Sequence, residues 1–373
     1  MTQKQTDSAP IAEYFNAVTD PRVDRTKRHK LIDIIIIAIC AVICGAKSWD
    51  DIELFAHEKY TWLKRFLELP NGIPSHDTFN RVFTHLDPEE FRASFMAWME
   101  TLVTLTNGEV VAIDGKTLRR SHTKGHGAIH MISAWACANA LVLGQEKVSG
   151  KSNEITAIPK LLKLIEIAGC LVTIDAMGCQ TEIAKTIIEQ GADYLLAVKG
   201  NQRHLQQDIK KLFAEVPGKT DDHDQVSELN RGRQETRECW IISTPEHLSR
   251  IRNHQAWRNL TQVALVKCTR TVKGKTTTES RYYISSASST AQQTLVATRS
   301  HWSIENSLHW VLDVTFREDD SRIRAGYSAE NFAVLRHMAL NFLKRDTTTK
   351  RSLKGKQLKA ALSEKYLEKI MGI

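Results

Sequence analysis

Three acidic residues, far apart in the chain, close segments of different kinds. Asp114 follows the apolar run Val110 to Ile113, Asp175 follows Leu171 to Ile174, and Glu305 lies within His301-Trp-Ser-Ile-Glu-Asn306. The first two runs have the make-up of buried strands and the third segment reads as helix. Carboxylates of this kind suit phosphodiester chemistry by two-metal phosphoryl transfer, which places two divalent cations roughly 3.5–4 Å apart. Mg2+ takes hard oxygen ligands and keeps several waters, so a few carboxylates suffice; Mn2+ would substitute. One ion would activate an attacking water or 3′-hydroxyl and the other would stabilise the leaving oxygen. An aspartate after a strand also commonly caps the next turn, so the argument rests on the three acids as a set.

His301, Glu305 and His309 recur every four residues and share one helical face. That spacing invites a zinc reading, yet the two histidines would stand about 12 Å apart along the axis. Glu305 with one histidine could ligate an ion, but the pattern is not HExxH. A polar stripe on a packed helix fits equally. Lys116, Arg119, Arg120, Lys199, Arg203, Arg317, Arg322 and Arg324 flank the acidic islands and suit DNA phosphates, with a solvated surface charge as the ordinary alternative for each. Trp302 and Trp310 suit stacking on an unpaired base, with core packing as the ordinary alternative. Gly144 to Ser152 approaches a phosphate loop but has five residues between its glycines instead of four, which argues against an ATPase.

The elements that must position these residues divide the chain. Residues 1–105 read as helical, with Ser75 as an N-cap and Phe91, Phe95 and Trp98 on one face, and suit a DNA-binding domain or, equally, a helical packing domain. Asn107-Gly108 marks a boundary. From 106 to 200 the order is β, β, β, α, β, α, β: antiparallel strands, then a crossover. Residues 201–290 read as a β-rich insertion, 291–345 as the remainder of the catalytic domain with the Glu305 helix, and 346–373 as a basic tail. The fold class expected is α/β: a mixed RNase H-like sheet flanked by helices, with an N-terminal helical domain and a β-rich insertion.

A formal net charge of +8 favours a polyanionic partner. The seven cysteines are scattered, without a CxxC pair, which excludes a zinc ribbon and a secreted disulfide framework and fits a reducing cytoplasm. The run Leu31 to Ala46 carries Asp33 and falls short of the ~20 residues a bilayer needs, so it reads as a buried helix. Met1 to Pro10 is polar and does not read as a signal peptide.

Several stretches, in order, resemble the H-repeat-associated transposases, a group of bacterial insertion-sequence DDE transposases. They are Ala112-Ile-Asp-Gly-Lys-Thr117, Lys151-Ser-Asn-Glu-Ile155, Thr173-Ile-Asp-Ala-Met-Gly-Cys-Gln180, Asp193 to Gln202, and His301 to Trp310 through Asp313 to Asp320. The resemblance covers nearly the whole chain. It implies an RNase H-like catalytic domain with an insertion before the last acid, and a triad of Asp114, Asp175 and Glu305 that binds two Mg2+. The wider group often carries Tyr-x2-Arg-x3-Glu-x6-Lys; here those places hold Thr298, His301, Glu305 and Leu312. Only the glutamate matches, with Arg299 and His309 as candidate substitutes.

The resulting expectation is a bacterial DNA transposase that cleaves element ends and joins them to target DNA. Its partner would be double-stranded DNA, gripped in part by Lys116, Arg119, Arg120, Lys199, Arg299, His301, Trp302, His309, Arg322 and Arg324. It would act as a homodimer, away from membranes, in the cytoplasm at the nucleoid. The alternatives are an inactive transposase-derived DNA-binding protein and a nuclease without preference for repeat ends.

Overall fold

The computed structural model describes residues 11–122, 127–148, 154–215, 220–230 and 232–373. Part of the phosphate-loop near-match, and Lys151 to Asn153 of one family-like stretch, lie outside these residues, as does the polar segment Met1 to Pro10.

Nine strands form one mixed sheet. They are β1 (Val110–Leu118), β2 (Ile129–Ala136), β3 (Leu141–Val148), β4 (Leu171–Ile174), β5 (Asp193–Val198), β6 (Asp222–Asn230), β7 (Arg233–Ile242), β8 (Gln262–Val272) and β9 (Lys275–Ser285). Their order is β3-β2-β1-β4-β5-β9-β8-β7-β6. β1, β4 and β5 run parallel, and every other neighbouring pair is antiparallel. β9 bonds directly to β5, Leu196 opposite Ile284, so the strands of 222–285 continue the same sheet. The polar segment Asp221 to Gln225 leads into its edge strand, β6, where exposed backbone needs little apolar cover.

Burial on both faces explains the apolar runs of the parallel strands. Val172 and Leu196 face one hydrophobic cluster, and Leu171 and Leu195 face another. Helices Glu154–Leu164 and Thr181–Glu189 pack on one side, and helix Ala291–His301 lies against β1, β4 and β7 on the other.

The N-terminal helices share the principal core, which extends from Ile11 to Met371. Helix Leu31–Ile43 is buried from Asp33 onward. Asp33 is satisfied by the Leu69 N–H at 2.9 Å. Among the described residues no helix is long and apolar enough to cross a membrane. Helix Ser328–Arg345 is buried through Leu343 and links the layers. Trp49 packs edge-on against Phe332, and Trp98 lies 4.6 Å from Phe342. Arg92 of helix Pro88–Leu102 pairs with Glu146 of β3 at 2.6 Å, both buried. The basic stretch after residue 346 folds as helices Leu353–Leu362 and Glu364–Met371. Lys356 turns inward to the carbonyls of Leu343 and Asp346, at the end of the long buried helix.

Asn341, fully buried in that helix, accepts from the Val142 N–H at 3.0 Å and donates to the Val142 carbonyl at 2.9 Å. Asn341→Leu would strand both backbone groups of β3. We expect a loss of about 2 kcal/mol of stability in urea denaturation; an unchanged midpoint would refute this tie between helix and sheet.

Candidate active site

Strand register brings the two aspartates together. β1 and β4 pair in parallel, with Ile113 opposite Ile174 as their last partners. Asp114 and Asp175 are therefore the next positions along adjacent strands. β1 continues to Leu118 because β2 still pairs with it, Asp114 opposite Ser133. β4 has no such continuation, so Asp175 leaves the sheet and caps the turn Ala176–Gly178, accepting the Met177 N–H at 3.0 Å. The capping role and the sheet-end position hold for the same residue.

Glu305 arrives from the other side of the fold. A capping box at Thr290 and Gln293 starts helix Ala291–His301. The backbone then widens to a π-turn over Glu305–His309 before helix Trp310–Val314. Such turns are rare and concentrate at functional sites. Buried Ile304, Leu308 and Val311 hold the segment down while Glu305 stays exposed. His309 Nδ1 lies 3.2 Å from Glu305 Oε2 and 3.6 Å from Asp114 Oδ2. One ligand atom from each of Asp114, Glu305 and His309 falls within 4.8 Å of the others.

The two helix-face histidines separate in role. His301 Nδ1 bonds Thr173 Oγ1 at 3.0 Å, two residues before Asp175. Burial lowers the pKa of both rings, which favours neutral imidazoles. A small cleft beside Asp175 is lined by Thr173, Lys199, Arg281, His301 and Trp302. Trp302 and Trp310 are both exposed, against the core-packing alternative, and the Arg281 guanidinium sits 4.8 Å from the Trp302 ring centre.

The basic residues expected at phosphates fare differently. Lys116 is spent within the protein: its Nζ lies 2.6 Å from Asp313, 3.1 Å from Asp319 and 3.4 Å from Glu318, and its side chain is nearly buried. A phosphate contact there would require breaking that network. Arg119 and Arg120 are exposed but pair with Asp319 and Asp320, and Arg299 with Glu228. Lys199, Arg322 and Arg324 are exposed.

Glu154 belongs to this neighbourhood and sequence reasoning gave it no role. It opens helix Glu154–Leu164, and its Oε1 lies 2.6 Å from His130 Nε2. His130 Nδ1 in turn lies 2.8 Å from Thr117 Oγ1. A Cβ at Gly115 would overlap both His130 and Glu154, so this pair seats directly on the backbone next to Asp114. The available signal was the Lys151-Ser-Asn-Glu-Ile155 stretch, a match without an assigned chemistry.

Burial first, then the charges of Asp175, Glu154 and Glu305, push the Asp114 carboxyl up to about 7. A divalent cation among these oxygens would relieve the repulsion, so the donor set fits such an ion. Without metal, Asp114 holds its proton to about pH 7 in the fold and only to about pH 3.8 otherwise. Its contribution therefore favours the fold in acid and is lost as pH rises through 7. In chelator, Asp114→Asn is expected to stabilise the protein at pH 8 by on the order of a few kcal/mol, and to change little at pH 4. Urea denaturation at both pH values checks this; equal effects at the two would refute it.

A family profile described as the Transposase DDE domain matches residues 106–342, and one described as DDE_Tnp_1-associated matches residues 12–99. The chain belongs to the DDE transposase family. It is 42% identical to the H repeat-associated putative transposase YhhI of Escherichia coli (strain K12) over 97% of each chain. It is 43% identical to the Putative transposase YncI of Escherichia coli O157:H7, over 97% of this chain and 94% of that one. A cryo-EM structure of the piggyBac transposase synaptic complex with hairpin DNA aligns over 99% of this chain and 79% of its own. The two share 13% identity, with a TM-score of 0.44. Within this transposase the matched DDE region contains Asp114, Asp175 and Glu305 alike.

Proposed function

We propose that this transposase cleaves the ends of an insertion-sequence-type element and joins the freed 3′-hydroxyl to target DNA, using Asp114, Asp175 and Glu305 as its catalytic carboxylates. The observation that carries the reading is the β1–β4 register, which sets the two aspartates side by side while His309 bonds Glu305 and lies near Asp114. These carboxylates would hold two Mg2+ ions, or Mn2+ in their place. The cations would supply the Lewis acidity for attack and departure at phosphorus. The protein's part is placement: a rigid sheet fixes two acids and a packed helix presents the third. In-line displacement then needs no covalent bond to the enzyme.

In this reading β3-β2-β1-β4-β5 is an RNase H-like core, supported by its three antiparallel strands followed by two parallel ones. Residues 106–200 and 291–345 would make up the catalytic domain, 201–290 its β-rich insertion, 1–105 a DNA-binding helical region and 346–373 its basic C-terminal region. The partner is double-stranded DNA, engaged by a homodimer. Exposed Lys199, Arg322, Arg324 and Trp302 are the best placed of the DNA-contact candidates.

The test is strand cleavage of labelled duplex carrying the element's own terminal repeats, with Mg2+ or Mn2+. Wild type is expected to cut at the repeat ends. Asp114→Ala, Asp175→Ala and Glu305→Ala should each lose at least about 100-fold in rate while keeping DNA affinity. Cleavage retained in the Asp175 variant would sink the triad. Tight binding without cutting by wild type would identify a transposase-derived DNA-binding protein, and cutting without repeat preference a general nuclease.

A further inference from the structure

The residues closest to forming one cation site are not the three acids proposed as catalytic. Among the described residues they are Asp114, Glu305 and His309. Ligands at right angles around an ion with bonds of ~2.1 Å stand about 3 Å apart. The measured separations from His309 Nδ1, 3.2 Å to Glu305 Oε2 and 3.6 Å to Asp114 Oδ2, suit neighbouring ligands of a single ion with little rearrangement.

His309 is also built to stay in place. Its side chain is 6% exposed, and buried Leu308 precedes it while buried Leu312 follows one turn on. Its Nδ1 is directed at the two carboxylates, while Nε2 is buried without a hydrogen-bond partner. A ring needed only to orient Glu305 would not have to reach Asp114 on the sheet as well. His301, the other histidine on this face, is engaged by Thr173 and is not part of the group.

We propose that His309 is itself a metal ligand, so that Asp114, Glu305 and His309 form a two-oxygen, one-nitrogen site for a divalent first-row transition cation such as Mn2+. This deepens the proposed function and rests on its requirement for a divalent metal. Mg2+ prefers all-oxygen surroundings and keeps its waters, whereas imidazole nitrogen suits transition metals. The π-turn gives the device its form: one widened turn presents an oxygen donor and a nitrogen donor to a third ligand on β1.

The test uses full-length protein with Mn2+ alone and no DNA. Pulsed electron paramagnetic resonance of the bound Mn2+ should show coupling to a 14N nucleus in wild type and in His301→Ala. The coupling should vanish in His309→Ala, and Mn2+ affinity should fall at least about tenfold. Mg2+ affinity, read by competition, should change less than about twofold. Should His309→Ala fail to fold, His309→Asn keeps a polar side chain of similar bulk, and the wild-type spectrum stands without any variant. Bound Mn2+ lacking 14N coupling in wild type, coupling that survives loss of His309, or an unchanged Mn2+ affinity would each overturn the proposal. Wild type that cuts DNA but shows no nitrogen coupling defeats this inference and leaves the transposase reading intact. Nitrogen-ligated Mn2+ without cutting does the reverse.

Discussion

Everything at the candidate site hangs on the parallel hydrogen bonding of β1 with β4 in one register. A slip of one residue would turn alternate side chains to the opposite face and separate Asp114 from Asp175. The register is held because both strands are buried on both faces. Val111, Ala112 and Ile113 on β1, and Val172 and Ile174 on β4, are all buried, and the one polar residue in these runs, Thr173, is bonded to His301. β4 stops after Ile174, and that early end frees Asp175 to turn from the sheet while Asp114 remains within it. Apolar packing thus pins two carboxylates together that would otherwise repel.

The cost of that placement is visible in Asp114, whose carboxyl is driven up to about 7 by burial and by its acidic neighbours. A carboxyl stays in so unfavourable a place only where its surroundings fix the strand that carries it. Here they do: β1 sits between β2 and β4, helix Ala291–His301 covers it, and the long helix Ser328–Arg345 joins β3 to the N-terminal helices. Asn331 of that helix donates to the carbonyls of Phe83 and Leu86, and Asn341 closes both backbone groups of Val142. The helical region and the sheet are consequently one packed body around a shared core. The site inherits its rigidity from contacts far outside it.

Charge is distributed with similar economy. Lys116, two residues from Asp114, is held by Asp313, Glu318 and Asp319, while Arg336 also reaches Glu318 at 3.4 Å. This buried network fastens the segment after Glu305 to β1. It also engages the nearest lysine in the sequence with these three carboxylates. Net positive charge therefore leaves few free cations at the site: Lys116 is paired, whereas exposed Lys199 lines the cleft beside Asp175.

The sequence by itself determined which residues had the chemistry and which elements would carry them. Alternation, apolar runs and turn residues are local properties, so the β, β, β, α, β, α, β order, the Ser75 cap and the buried helix at Leu31–Ile43 were legible. The side-by-side aspartates were foreseeable in part, since both follow buried-type strands. Tertiary structure decided the rest, because side-chain partners depend on register and packing between distant segments. Nothing local says that His309 rather than His301 meets Glu305, that Glu154 and His130 seat against Gly115, or that Lys116 is neutralised by a loop some 200 residues on. Nor does it say that β9 joins β5 and makes one sheet of nine strands. The types of the donors belong to the sequence; which of them converge on a single point belongs to the fold.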